Sequence, residues 1–207
     1  MTTMFAYPLS RRELPYRMVF SFFVFFTMLF SGGLVPAYMM WTQTFHIKNT
    51  IWALIVPGLL MNGFYIIMMR SFFTANIPDA LIEAARIDGC GEYRILFQIV
   101  MPLSLPMMVT LILMMGLGYW NDWVNSLYYV TDEKLFSIQA ILNTIITNIQ
   151  FITSGAGSLA SNVDMSKLPS VGVRMAIAIV GIIPVLVIYP FFQKYFIRGI
   201  VVGGVKG

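Results

Sequence analysis

Charge is missing from four long stretches of this chain, and that pattern limits the folds open to it. No Asp, Glu, Lys or Arg occurs from Met18 to Ile47, from Asn49 to Met69, from Ile95 to Asn121 or from Met175 to Gln193. A helix of about 20 apolar residues crosses the hydrocarbon core of a bilayer. Inside that core only helices and closed barrels satisfy their backbone polar groups. The four stretches therefore predict transmembrane helices over about residues 18–41, 49–69, 102–121 and 171–192, in an all-α polytopic membrane protein. Composition agrees: 11% of the residues are charged, against about 25% in soluble domains.

The most charged run lies between the second and third stretches. It carries Asp79, Glu83, Asp88 and Glu92 together with Arg86 and Arg94, so residues 76–100 read as a loop in water. Its first half predicts a short helix. Pro78 suits a first turn, and Asp79 sets negative charge at the positive end of the helix dipole. Leu81, Ala84 and Ala85 share a face by i, i+3, i+4 spacing. Arg86, three residues after Glu83, is placed to pair with it. Gly89 suits the left-handed conformation that ends a helix. A second helix is expected with Tyr93, Leu96, Phe97 and Val100 on one face, interrupted at Pro102.

The net charge of +4 is a sidedness signal, because Lys and Arg collect on the cytoplasmic side of membrane proteins. With the charged loop inside, that side holds nine basic residues: Arg11, Arg12, Arg17, Arg70, Arg86, Arg94, Lys194, Arg198 and Lys206. The other side holds four: Lys48, Lys134, Lys167 and Arg174. This bias predicts two cytoplasmic termini, residues 1–17 and 198–207. Met1 to Arg17 lacks the pattern of a secretory signal. No basic cluster is interleaved with exposed aromatics, so no nucleic-acid partner is expected. The lone Cys90 forms no internal disulfide.

Glu83-Ala84-Ala85, three residues, Gly89, nine residues, then Ile99 and Pro102 resembles the EAA loop of permease subunits in binding-protein-dependent ABC importers. Met101 stands where that family has Leu, a volume-conserving exchange. The resemblance implies a type I ABC importer transmembrane domain over residues 18–197. It implies that the loop is a coupling helix seated in a groove of an ATPase subunit, with Glu83, Ala84, Ala85, Asp88, Gly89, Ile99 and Pro102 as coupling residues. The implied partners are a second homologous permease subunit, two ATPase subunits that carry ATP and Mg, and an extracytoplasmic solute-binding protein. The implied location is the lipid of a bacterial plasma membrane, and no cofactor is expected on this chain. Ala6-Tyr7-Pro8-Leu9-Ser10-Arg11-Arg12 resembles the cytoplasmic end of the family's second span. Because the family has six spans, the resemblance implies that the first and most of the second lie outside this sequence, as in a fragment or a late start.

The first charge-free stretch carries Ser31-Gly32-Gly33 and Pro36, small residues that let helices approach closely in lipid. His46 reads as an interfacial residue of a short outer turn. Asn62, mid-stretch beside Pro57 and Gly58, is a candidate for the substrate pathway. Trp120-Asn121-Asp122-Trp123 resembles the family's "WN" signature. Trp120 and Trp123 read either as interfacial belt residues or as a pathway mouth, where indoles stack on sugar rings and Asn121 bonds hydroxyls. Residues 126–170 are the one sizeable outer region. Leu135, Ile138, Ile141, Leu142, Ile145 and Ile149 recur there at helical spacing, which predicts an amphipathic or re-entrant helix of about four turns. The polar loop that follows, from Thr153 to Pro169, reads either as a passive connector or, by resemblance to maltose-type permeases, as a contact for the binding protein. The tail from Pro190 to Gly207 resembles that of oligosaccharide permeases of the aldouronate-transporter type, which implies sugar substrates, acidic ones among them.

Several function classes are excluded. No Gly-x-x-x-x-Gly-Lys-Ser/Thr loop is present, so the chain does not hydrolyse ATP itself. One His and one Cys do not build a zinc site. No ionisable group falls near the middle of a span, which argues against proton or sodium coupling. The reading is thus a permease subunit, not an enzyme, of an ATP-driven, binding-protein-dependent importer that works by alternating access. The alternative classes are a pore that works without ATP and a structural or assembly membrane protein, separated from the first by co-purification of an ATPase. The alternative substrate is another small polar solute.

Overall fold

The computed structural model describes residues 1–59, 61–153 and 171–203, and every regular element among them is helical. In chain order the helices are α1 (Thr2–Ser10), α2 (Arg17–Leu29), α3 (Leu34–Met39), α4 (Trp52–Leu59), α5 (Gly63–Asn76), α6 (Asp79–Ile87), α7 (Glu92–Leu103), α8 (Leu105–Trp120), α9 (Val124–Tyr129), α10 (Ile138–Thr153) and α11 (Val171–Gly203). They fall into two compact units. One comprises Met1–Ala37, Gly58–Gly116 and Phe192–Gly207; the other comprises Tyr38–Pro57 and Leu117–Phe191.

The first unit has its core where α1 and α5 pack. Helix α1 supplies Ala6, Tyr7 and Leu9, and α5 supplies Ile66, Met69 and Phe73 at i, i+3, i+7 spacing. Helix α6 adds Ile82 and Ala85, and α7 adds Ile95, Leu96 and Val100. Tyr7 meets Phe73 edge to face with ring centroids 6.3 Å apart. Arg70 Nε donates to the Leu9 carbonyl at 3.1 Å, serving one of the carbonyls that a helix end leaves without an internal partner. Each fully buried Ile, Met or Phe contributes about 1.5–3 kcal/mol, so these side chains dominate the unit's stability. Within residues 1–17, Thr2–Ser10 form a helix whose inner face belongs to this core.

The charge-free stretches are helical, but three are broken. Among the described residues, only Met175–Gln193 within α11 is an unbroken helix long and apolar enough to cross a membrane; α2 with α3, α4 with α5, and α7 with α8 pass the same test as bent pairs. Each break has a local cause. Gly33 sits at φ 86° between α2 and α3. Asn62 Oδ1 accepts from the Phe64 amide at 2.9 Å, so it caps the start of α5 and does not sit inside a continuous span. Helices α7 and α8 meet at 80°, with Ser104 fully buried at the elbow. Pro102 does not interrupt α7 where expected. The helix widens into a π turn at Leu96–Val100 and runs on to Leu103. Its buried face is Ile95, Leu96 and Val100, while Tyr93 is 77% exposed and Phe97 is exposed too. On α2 only Val24 is buried, and Phe20, Phe22, Phe23, Phe25 and Phe26 face outward, a surface suited to lipid or other helices and not to water.

The second unit is clasped by Asn49, whose φ of 57° is one that Asn tolerates. Its Oδ1 accepts from the Thr131 amide at 2.6 Å, and its Nδ2 donates to Thr131 Oγ1 at 2.7 Å. Tyr38 and Tyr129 stack beside this clasp with centroids 5.9 Å apart. The expected outer amphipathic helix is α10, but it starts at Ile138, since Leu135 ends a separate 3₁₀ turn, Glu133–Leu135. The polar loop from residue 154 to 170 lies outside the described residues. Helix α11 runs through Pro184 and Pro190 to Gly203.

Helices α2 and α5 touch at Gly63, where an added Cβ would lie 2.8 Å from Met28 Cγ and 3.0 Å from the Val24 carbonyl oxygen. Overpacking of this kind costs about 1–3 kcal/mol. Gly63→Ala is therefore expected to lower the melting temperature in detergent. Gly118→Ala, in helix α8 with nothing within 4 Å of the new Cβ, is expected to leave it unchanged or raise it. Equal melting temperatures for wild type and Gly63→Ala would contradict the close approach.

Candidate functional site

Helix α6 is only nine residues long, too short to persist by itself in water, so its neighbours decide how it sits. Pro78 precedes it in an extended conformation, and Asp79 opens its first turn. Ile82 and Ala85 are buried, at 2% and 6% exposure, and fix the helix to the α1–α5 core. Its end is a Schellman cap. Gly89 takes φ 79°, its amide donates to the Arg86 carbonyl at 2.9 Å, and the Cys90 amide donates to the Ala85 carbonyl at 2.9 Å. The left-handed turn expected at Gly89 is thus present, and it aims the chain into α7.

The face shared by Leu81, Ala84 and Ala85 is split, and Ala85, expected among the coupling residues, is turned away from the open edge. Leu81 and Ala84 are exposed, and Ala85 belongs to the core with Ile82. The open edge is Glu83, Ala84, Ile87 and Asp88, with Ile87 87% exposed. Glu83 does not pair with Arg86, and its carboxylate is left open toward solvent. Ile99 is half-buried against the core and Pro102 is exposed, both on α7. These two support the helix that follows and are not part of the open edge.

A polar cluster adjoins the open edge beside Glu83. Arg86 forms an ion pair with Glu13, and its Nε donates to Glu92 Oε1 at 2.8 Å. The Tyr7 hydroxyl donates to Glu92 Oε2 at 2.9 Å. Arg11 Nη1 meets Asp79 Oδ1 at 3.3 Å, and its guanidinium lies 5.1 Å from the Tyr7 ring centroid. Burial, and then the hydrogen bond donated to Glu92, pushes the Tyr7 phenol up to about 12, so Tyr7 remains a donor at any physiological pH. Glu13 first, and Glu92 second, raise the pKa of Arg86 further, so it stays a cation. Residues of this cluster line a cavity of about 240 Å³ together with Arg12 and Glu83. A larger, mostly apolar one of about 510 Å³ lies among Met4, Pro8, Leu14, Pro15 and Tyr93.

The residues considered for a substrate pathway have local roles. Asn62 caps α5 in the first unit. Trp120, Asn121 and Trp123 cluster at the end of α8 in the second unit. The Trp120 indole N–H donates to the Gly181 carbonyl at 2.9 Å, and this bond ties α8 to α11. Asn121 Nδ2 donates to the Leu117 carbonyl at 2.9 Å. Asp122 holds Asn125 through its amide at 3.0 Å and its side chain at 2.6 Å. Trp123 borders a cavity of about 80 Å³ that also includes Ser126, Phe136 and Ala140. Among the described residues no group of His, Cys, Asp and Glu could hold a metal ion.

Known proteins place this geometry. The fold matches a chain in the crystal structure of a bacterial ABC transporter that imports the acidic polysaccharide alginate. The TM-score is 0.75 at 29% identity, over 95% of this chain and 67% of that one. This is the transmembrane domain of an ABC importer. Residues 2–202 match the model of the binding-protein-dependent transport system inner membrane component, and the chain belongs to that family as a membrane-embedded permease, not an enzyme. It is 39% identical along its whole length to the polygalacturonan/rhamnogalacturonan transport system permease protein YtcP of Bacillus subtilis, covering 70% of that protein. It is 36% identical to Protein LplC of the same organism, over 98% of this chain and 66% of that one. The chain thus spans about two thirds of the length of these relatives.

The face assignment of α6 has a direct check. In a Cys90→Ser background, thiol reagents are expected to label Ala84→Cys and Ile87→Cys rapidly in folded protein, and Ala85→Cys only after unfolding. Equal rates at positions 84 and 85 would contradict it.

Proposed function

We propose that this chain forms one half of the translocation pathway of an ATP-driven importer and that α6 is its contact with an ATPase subunit. The observation that carries this reading is the build of α6: a short helix with its inner face fixed in the core, and with Glu83, Ala84, Ile87 and Asp88 presented outward. Ala84 is small enough for a partner backbone to approach, Ile87 supplies an apolar anchor, and Glu83 accepts charge-assisted hydrogen bonds from a partner's Arg or backbone amides. ATP and Mg act on the ATPase subunits, a solute-binding protein delivers the solute outside, and both termini of this sequence lie in the cytoplasm. Loaded binding protein and ATP then shift the pathway between inward-open and outward-open states by their differential affinity for them. The exposed aromatic face of α2 suits packing with lipid or a second permease subunit.

Oligosaccharides are the proposed substrates, and acidic polysaccharide fragments in particular. Support comes from the relatives, one named for polygalacturonan and rhamnogalacturonan transport and one for import of the acidic polysaccharide alginate. The importer reconstituted with its second permease, ATPases and binding protein is expected to take up uronate oligosaccharides in preference to neutral ones of equal length. Glu83→Lys is expected to leave the complex in the membrane while lowering uptake on the order of tenfold, the usual size of coupling between sites. Normal uptake and normal ATPase stimulation in Glu83→Lys would contradict the role of α6.

A further inference from the structure

We propose that Arg86, with Glu13 and Glu92, is a positioning centre that makes α6 and the end of α1 move as one piece. This rests on the reading of α6 as the ATPase-contacting helix. Helix α6 is fastened at both ends to the same short stretch of chain. Asp79 at its start meets Arg11, and Arg86 in its last turn meets Glu13. Arg86 also reaches Glu92, the first residue of α7, whose second oxygen accepts the Tyr7 hydroxyl from α1. One guanidinium thereby joins α6, α7 and the segment leaving α1.

Stability alone does not explain this arrangement. Glu13 and Glu92 are more than half exposed, and surface pairs of this kind contribute little to stability. Burial of Ile82 and Ala85 already holds the helix down. What the ion pairs add is orientation, because the planar guanidinium presents its donors in a fixed fork. Two buried side chains on a nine-residue helix leave it free to rock about them; ties at both ends do not. A displacement imposed on the open edge of α6 is then delivered to α1, and through the Arg70–Leu9 hydrogen bond to α5.

The test uses the complete importer, reconstituted with its ATPases and binding protein, in a Cys90→Ser, Ile87→Cys parent whose crosslink to the ATPase reports docking. In Arg86→Ala the crosslink is expected to persist and ATP hydrolysis to continue. Solute taken up per ATP is expected to fall on the order of tenfold, as for loss of a typical coupling between sites. Arg86→Lys, which still reaches one carboxylate, is expected to recover part of that loss. Glu13→Gln with Glu92→Gln removes both partners at exposed positions and is expected to reproduce the loss; it decides the matter if Arg86→Ala does not assemble. An unchanged ratio of uptake to ATP in these variants, with the crosslink intact, overturns the proposal. A parent that gives no crosslink at all overturns instead the assignment of α6 as the ATPase contact.

Discussion

The seating of Ile82 and Ala85 in the α1–α5 core is the interaction on which the rest depends. Without it, α6 is a nine-residue peptide segment with no stable helix of its own. With it, one side of the helix is fixed and the other is committed to the outside. The Schellman cap at Gly89 then completes the helix and directs the chain into α7, whose Ile95, Leu96 and Val100 return to the same core. The exposed edge, the polar cluster and the elbow at Ser104 all take their places from that seating.

Two kinds of force are divided cleanly in this unit. Apolar burial on α1, α5, α6 and α7 supplies the stability, since each large buried side chain contributes more than a solvent-exposed ion pair. The pairs made by Arg11 and Arg86 supply direction. A membrane permease needs both, because a helix that is merely held in place transmits no defined motion. In the second unit the Trp120 indole ties α8 to α11, and the Asn49–Thr131 clasp fixes residues far apart in sequence.

Much of this was legible before the structure. The charge-free stretches marked the apolar helices, because a span of such length satisfies its own backbone in lipid as a helix, and the charged run around Glu83 and Gly89 marked the short helix between them. Gly89 announced its left-handed turn because few other residues take one without strain. The faces were harder. Leu81, Ala84 and Ala85 form as good a stripe as Ile82 and Ala85, and Tyr93 and Phe97 are as apolar as Ile95 and Leu96. Which stripe is buried depends on what lies opposite, and that is α1, hidden behind Pro8 and the charges of Arg11 and Arg12. The pairing of Arg86 with Glu13 was equally out of reach, since the two are far apart in sequence while Glu83 stands nearby. Asn62 and Trp120 carry polar groups into apolar stretches, and the sequence does not show that one caps α5 and the other bonds the Gly181 carbonyl.

The most direct measurement is a distance within the assembled importer. Spin labels are placed at Met4→Cys on α1 and Leu81→Cys on α6, both exposed sites outside the open edge, in a Cys90→Ser background. The separation is read in the resting state and after ATP and loaded binding protein are added. A rigid α1–α6 unit gives one narrow distance that stays the same in both states while transport proceeds. A separation that shifts or broadens when ATP binds would contradict it, and would show that α6 moves on its own.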